Sequence, residues 1–119
     1  MYEQLEQWLN DALSQQLPLG IVGFNFNLYD DGGNDWCLEL VGCDRFDKND
    51  ADWACEEIFD TRDEPFTWNE AVSQEEVLSE CRLMLMLYLE NGKYAHILKA
   101  ADGIGIGFVD DDLELLYAK

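Results

Sequence analysis

Three groups of residues in this chain have types and spacings that invite a chemical reading. Gly103-x-Gly105-x-Gly107 has the glycine density of a phosphate-cradling loop. A dinucleotide site, however, needs G-x-G-x-x-G at a turn from a strand into a helix, whose N-terminus takes the pyrophosphate. Here the glycines alternate strictly with Ile104, Ile106 and Phe108, and no Walker lysine follows. They belong inside a strand, one face of which is nearly bare. Such a face is left for another group to approach closely, and we expect that group to come from the same domain. Asp47, Asn49, Asp50 and Asp52 offer the oxygen ligands that calcium prefers, but an EF-hand counted from Asp47 would need a ligand at position 5 and glycine at position 6. The chain has Ala51 and Asp52 there. His96, the sole histidine, has Tyr94 and Lys99 nearby but no acid to orient it. General-base or nucleophilic catalysis needs such a partner. We therefore expect no catalytic, cofactor or metal site, and no enzyme.

Cysteine usage agrees. Cys37, Cys43, Cys55 and Cys81 include no C-x-x-C pair and lie far from His96, whereas structural zinc wants ligands paired at short spacing. Free, largely buried thiols are expected. The chain shows no basic n-region or cleavage site at its start, and its longest apolar run, Leu83 to Leu89, is far shorter than the ~20 residues that span a bilayer. A cytoplasmic protein is expected.

The elements that must position these residues read clearly in places. Leu5, Trp8, Leu9, Ala12, Leu13 and Leu17 recur at helical spacing, with Pro18 and Gly20 as the stop. Gly20 to Tyr29 alternates, with Val22, Phe24, Phe26 and Leu28 on one side and Gly23, Asn25 and Asn27 on the other. Asp30 to Asp35 is a turn by composition, and Trp36, Leu38 and Leu40 are the inward set of a second strand. Trp53 to Phe59 reads as a third strand, and Phe66 and Trp68 as residues tucked into the core edge. A long helix is expected over about 70–90, with Ser73 and Glu76 as a capping box and Asn91-Gly92 as the end. Its second half is apolar nearly all round, which predicts burial on more than one side or a dimer face. The last element is a hairpin: the glycine strand, the turn Asp110-Asp111-Asp112 and a return over Leu113 to Tyr117. The expected fold is one α+β domain over residues 1–119. Its antiparallel sheet has about five strands, in the order α-β-β-β-α-β-β, covered by helices on one face.

Over all of this lies charge. Asp and Glu number 26 against 7 Lys and Arg, a net of -19, in a chain that is nonetheless 48% hydrophobic. A folded domain with that coat favours basic partners and disfavours nucleic acid and anionic membrane. The densest stretch is Asp44 to Glu64, with nine acids against three bases. There Asp44, Asp47, Asp50, Asp52, Glu56 and Glu57 are the candidate partner-binding residues, with Trp53 as an aromatic anchor. Charge steers an encounter and aromatics hold it.

Small size, acidic α+β build and the ending Gly-Ile-Gly-Ile-Gly-Phe-Val-Asp-Asp-Asp-Leu-Glu-Leu-Leu-Tyr over residues 103–117 resemble the small immunity proteins of bacterial polymorphic-toxin and contact-dependent inhibition systems. That resemblance implies tight binding of a cognate toxin domain, often a nuclease with a basic cleft. It assigns no residue roles. The other expectations are a nucleic-acid mimic, which would need carboxylates in regular rows, and a dimeric adaptor built on Leu83–Leu89. Monomer and homodimer both remain open at this level.

Overall fold

A computed structural model describes residues 1–119. Its elements are α1 (Tyr2–Leu13), β1 (Gly23–Gly32), β2 (Asp35–Cys43), a 3-10 turn (Ala51–Cys55), β3 (Glu57–Asp60), β4 (Phe66–Asn69), α2 (Gln74–Asn91), α3 (Ala95–Lys99), β5 (Gly103–Phe108) and β6 (Glu114–Ala118). The α+β class holds. No helix is long and apolar enough to cross a membrane.

Local chemistry explains most boundaries. The β1–β2 hairpin closes through Gly33 and Asn34, with φ of 61° and 67°, the left-handed pair that a tight primed turn demands. Ser73 caps α2 by accepting the backbone N–H of Glu76 at 3.2 Å. Glu76 reaches back to within 3.3 Å of the Ser73 hydroxyl. The middle segment departs from expectation. Trp53 to Cys55 lies in the 3-10 turn, started when Asp50 accepts the Asp52 N–H, so β3 begins only at Glu57. Phe66 to Asn69 is a strand in its own right, pairing with the first half of β2 while β3 pairs with the second.

The sheet runs β3-β2-β1-β5-β6, with β4 beside β3 on β2. Both hairpins are antiparallel, as alternation predicted, but β1 and β5 are parallel, from Gly23 opposite Gly103 to Leu28 opposite Phe108. The expected antiparallel sheet is therefore mixed, and it has six strands. The reason is the connection: α2 and α3 carry the chain across the sheet and back to its starting end, so β5 runs with β4 and hence with β1.

Phe24, Phe26, Leu28, Trp36, Leu38, Leu40, Ile104, Ile106 and Phe108 form one face, packed against Leu5, Leu9 and Leu13 of α1 and Val77, Cys81, Leu85 and Tyr88 of α2. All three helices contribute buried residues to that one core. The second half of α2 is not enclosed, since Leu83, Met86 and Leu87 are exposed. On the sheet's other face Val41, Cys43 and Trp53 make a small second core with Phe46, Ala54 and Leu113 against it. The glycines of β5 sit beneath this layer. A Cβ at Gly103 would meet the Phe46 ring, and one at Gly105 would stand 2.7 Å from Asn25 Oδ1 and 2.9 Å from Leu113 Cδ2. The close neighbour expected for the glycine face is thus part of this domain.

Candidate functional site

The second core and the β5–β6 turn cover the glycines, Gly107 lying under the Asp112 carbonyl and Leu113. The rest of this face of the sheet lines a cleft of about 490 Å³. Period-2 alternation brings Asn25, Asn27 and Tyr29 of β1 to this face together with Glu39 of β2. Asn27 and Glu39 are direct cross-strand partners. Asn27 Nδ2 donates to Glu39 Oε1 at 2.9 Å, and the Tyr29 hydroxyl donates to the same oxygen at 2.6 Å. Arg62 arrives from the β3–β4 loop, which is tied to the sheet where Thr61 Oγ1 accepts the Leu40 N–H. Its Nε donates to Glu39 Oε2 at 3.0 Å and its Nη2 to Oε1 at 3.2 Å. The same Nη2 reaches Glu57 at 2.7 Å, and Nη1 lies 3.7 Å from Asp60. The Glu39 side chain is 2% exposed and that of Arg62 is 53% exposed.

Electrostatics follow from this geometry. Burial by itself raises a carboxylic acid's pKa. At Glu39 the donors Arg62, Tyr29 and Asn27 together outweigh it, leaving the carboxyl below its ordinary range. Tyr29 is pushed up, first by burial and then by donating to the Glu39 carboxylate. The carboxylate also orients both amides. Asn27 must turn its NH₂ toward Glu39, so its oxygen faces Asn25, whose Nδ2 donates to it at 2.8 Å. Asn25 Oδ1 is then left without a donor on a residue only 4% exposed. A buried acceptor without a partner is uncommon in folded proteins and calls for an explanation.

The walls are acidic. Asp52 and Glu57 line one side and Asp111 and Asp112, from the β5–β6 turn, the other. Of the candidate residues read from the sequence, Asp52 and Glu57 thus line the cleft, while Asp44 and Glu56 are exposed outside it. Asp47 and Asp50 are half-buried, and their carboxylates fold the loop: Asp47 Oδ1 accepts the Asn49 N–H, Asp50 Oδ1 the Asp52 N–H, and Asp50 Oδ2 the Arg45 guanidinium at 3.1 Å. Trp53 is a correction. It is 1% exposed, its ring centroid 5.0 Å from that of Phe46 and its indole stacked on bare Gly23. It anchors the 3-10 turn to the sheet and cannot meet a partner.

Glu39, Asn25, Asn27 and Arg62, with Asp111 and Asp112, were not singled out by sequence. A signal for the first three existed: Asn and Glu are depleted in strands, and here they alternate with the apolar core set, on the opposite face of the same strands. Arg62 carried none, because its role depends on where a loop lands.

The thiols divide by environment. Cys43 and Cys81 are buried, and burial pushes both up to about 12. Cys37 is half-buried and raised, mainly by burial. Cys55, expected in a strand, is exposed on the 3-10 turn. A disulfide reagent at pH 8 will label Cys55 rapidly and Cys37 slowly, and Cys43 and Cys81 only after denaturation, because the thiolate is the reacting species. Fast labelling of Cys43 in the native protein would contradict the packing described.

Compared with known proteins, the chain matches no protein-family model, no curated protein and no solved structure.

Proposed function

We propose that this chain is a non-enzymatic binding protein that masks a basic protein partner in the cytoplasm, as the immunity protein of a cognate toxin domain such as a nuclease. The observation that supports this most is the form of the acidic surface: it is concave, its roomier cleft walled by carboxylates from the 3-10 turn, β3 and the β5–β6 turn, with a smaller acidic cleft between α1 and the β3–β4 loop. A nucleic-acid mimic would instead present carboxylates in rows spaced like phosphates. A concave acidic cleft suits a protruding basic element, with Asp44 and Glu56 outside it adding to the long-range field that steers the encounter.

The test is to ask whether the gene immediately upstream encodes a large secreted protein with a variable C-terminal domain, and to express that domain alone and with this chain. Relief of growth arrest on co-expression, and a stable complex whose association slows as salt rises, would support the reading. Failure to bind, or association indifferent to ionic strength, would overturn it. Salt should act oppositely on the free protein. With a net charge of -19, self-repulsion weakens the native state. Raising NaCl from about 10 to about 300 mM at pH 7 shortens the screening length severalfold and should raise Tm by a few degrees. A fall in Tm would mean that the internal ion pairs, not the net charge, dominate.

A further inference from the structure

Charge is unevenly spread over this chain. From Arg82 to Ala101 three bases (Arg82, Lys93 and Lys99) stand against one acid, Glu90, in a molecule whose net charge is -19. Three contacts lay out the side to which this stretch belongs. At one end Gln74, the first residue of α2, shares a cavity wall with Asp110 and Asp111 of the β5–β6 turn. In the middle Arg82 Nε donates to Glu114 Oε2 at 3.1 Å, tying α2 to β6. At the other end Lys119 Nζ donates to the Ala100 carbonyl at 2.8 Å, tying β6 to the end of α3. The α2–α3 run and β6 therefore lie side by side in one direction, from an acidic end (Glu75, Asp110, Asp111) to a basic end (Lys99, Lys119).

Between these ends the surface is apolar and uncovered. Leu83 and Met86, three residues apart on α2, are 69% and 40% exposed, and Leu115 of β6 is 42% exposed. Met86 follows Arg82 by four residues, so it borders the same edge of the sheet. That edge is open: β6 ends the sheet, and its outer backbone N–H and C=O groups have no strand partner. A face with an acidic end, an apolar centre and a basic end is complementary to itself when turned end for end, which is what a two-fold axis does. The opposite edge has no such property. There β3, β4 and their loop carry Glu57, Asp60, Asp63 and Glu64 against Arg62 alone, and Arg62 is already held by Glu39.

We infer that the α2–β6 side is the interface of a homodimer, in which β6 pairs antiparallel with β6 of a second copy and the two sheets become one. Antiparallel pairing sets Glu75 and Asp110 of each copy toward Lys99 and Lys119 of the other. It encloses Leu83 and Met86 on the helix side of the joined sheet. Leu115, which stands opposite Gly105, is enclosed on the other side. Backbone hydrogen bonds and apolar burial supply the affinity, and the charged ends fix the direction. The interface rests on this geometry and charge alone, not on the function proposed above.

Sedimentation of the full chain tests it. At about 100 μM, far above the Kd of a micromolar complex, the unmutated chain should run as a dimer. The outward amides of β6 should then exchange more slowly than in a dilute sample. Reversing the basic end (Lys99→Glu/Lys119→Glu) sets acid against acid at both ends of the interface. Reversing the acidic end (Glu75→Lys/Asp110→Lys) sets base against base. Each variant alone should dimerise at least about tenfold more weakly, as several exposed repulsive contacts imply. An equimolar mixture of the two should regain the dimer, because each then offers the other opposite charge at both ends. A monomeric unmutated chain, variants that dimerise as well as it does, or a mixture that stays monomeric would overturn the interface. So would β6 amides that gain protection only when a toxin domain is added, since the edge would then belong to that partner. Exchange in the unmutated chain decides this even if a variant folds poorly.

Discussion

Gly105→Val will destabilise the fold by about 2 kcal/mol, within the 1–3 kcal/mol typical of overpacking. Backbone hydrogen bonding to β1 on one side and β6 on the other holds Gly105 in place. Even the first added carbon would stand 2.7 Å from Asn25 Oδ1 and 2.9 Å from Leu113 Cδ2. Leu113 can yield at its tip, but Asn25 is held by its bond to Asn27. Any shift there propagates to Glu39. Valine's extra methyls would also press against an acceptor already without a donor. Replacing glycine lowers the entropy of the unfolded chain, a gain of at most about 1 kcal/mol that does not reverse the sign. At this chain length roughly 4 °C of Tm accompany each kcal/mol, so a fall of about 8 °C should appear in a thermal melt. Asp111→Asn, in the exposed turn, should leave Tm unchanged or slightly raised. If Gly105→Val kept its Tm while losing partner binding, the glycine strip would be the contact surface and not a packed layer.

Arg62→Ala should cost a similar amount, about 2–3 kcal/mol at pH 7. Breaking a fully buried pair costs about 3–5 kcal/mol, and the value here is reduced because the guanidinium is half-exposed and water can reach part of its place. The mechanism is a stranded charge: Glu39 would keep only Asn27 and Tyr29 as donors in a buried site. Arg62→Lys should recover part of the loss, since an ammonium restores the charge but not the two-pronged contact. The pH dependence gives a second check. Glu39 is depressed in the folded protein, so its contribution is complete above the ordinary glutamate pKa of about 4.3 and is lost as pH falls through the lower, folded value. In Arg62→Ala burial raises that carboxyl instead. Urea denaturation should therefore show a gap between the two proteins that is widest at neutral pH and narrows below about pH 4. A gap independent of pH would mean that Arg62 acts through packing of its stem and not through Glu39.

The sequence by itself determined what depends on near neighbours along the chain. Helical spacing in residues 5–13, alternation from Gly23 to Tyr29 and the Ser73–Glu76 pair fix α1, β1 and the start of α2, because periodicity and capping act within a few residues. The same locality made the glycine strand legible as a strand and not as a phosphate loop. Local signals failed in the middle segment. Trp53 to Phe59 alternates enough to read as a strand, yet the hydrogen bond from the Asp52 N–H to Asp50 coils its first half. Burial on Gly23 then turned the expected anchor Trp53 into core. Acidity, too, was plain from composition, but composition carries no shape. Only the tertiary structure set β5 beside β1 in parallel, because α2 and α3 return the chain to the end from which β4 left. That single pairing places the glycine strip next to Asn25 and Asn27, and so makes a cleft floor of them. The landing of one loop then delivers Arg62 to Glu39, 23 residues away in sequence. Contacts of that separation are decided by which faces remain uncovered once the core has formed, and no short stretch of the chain contains that information.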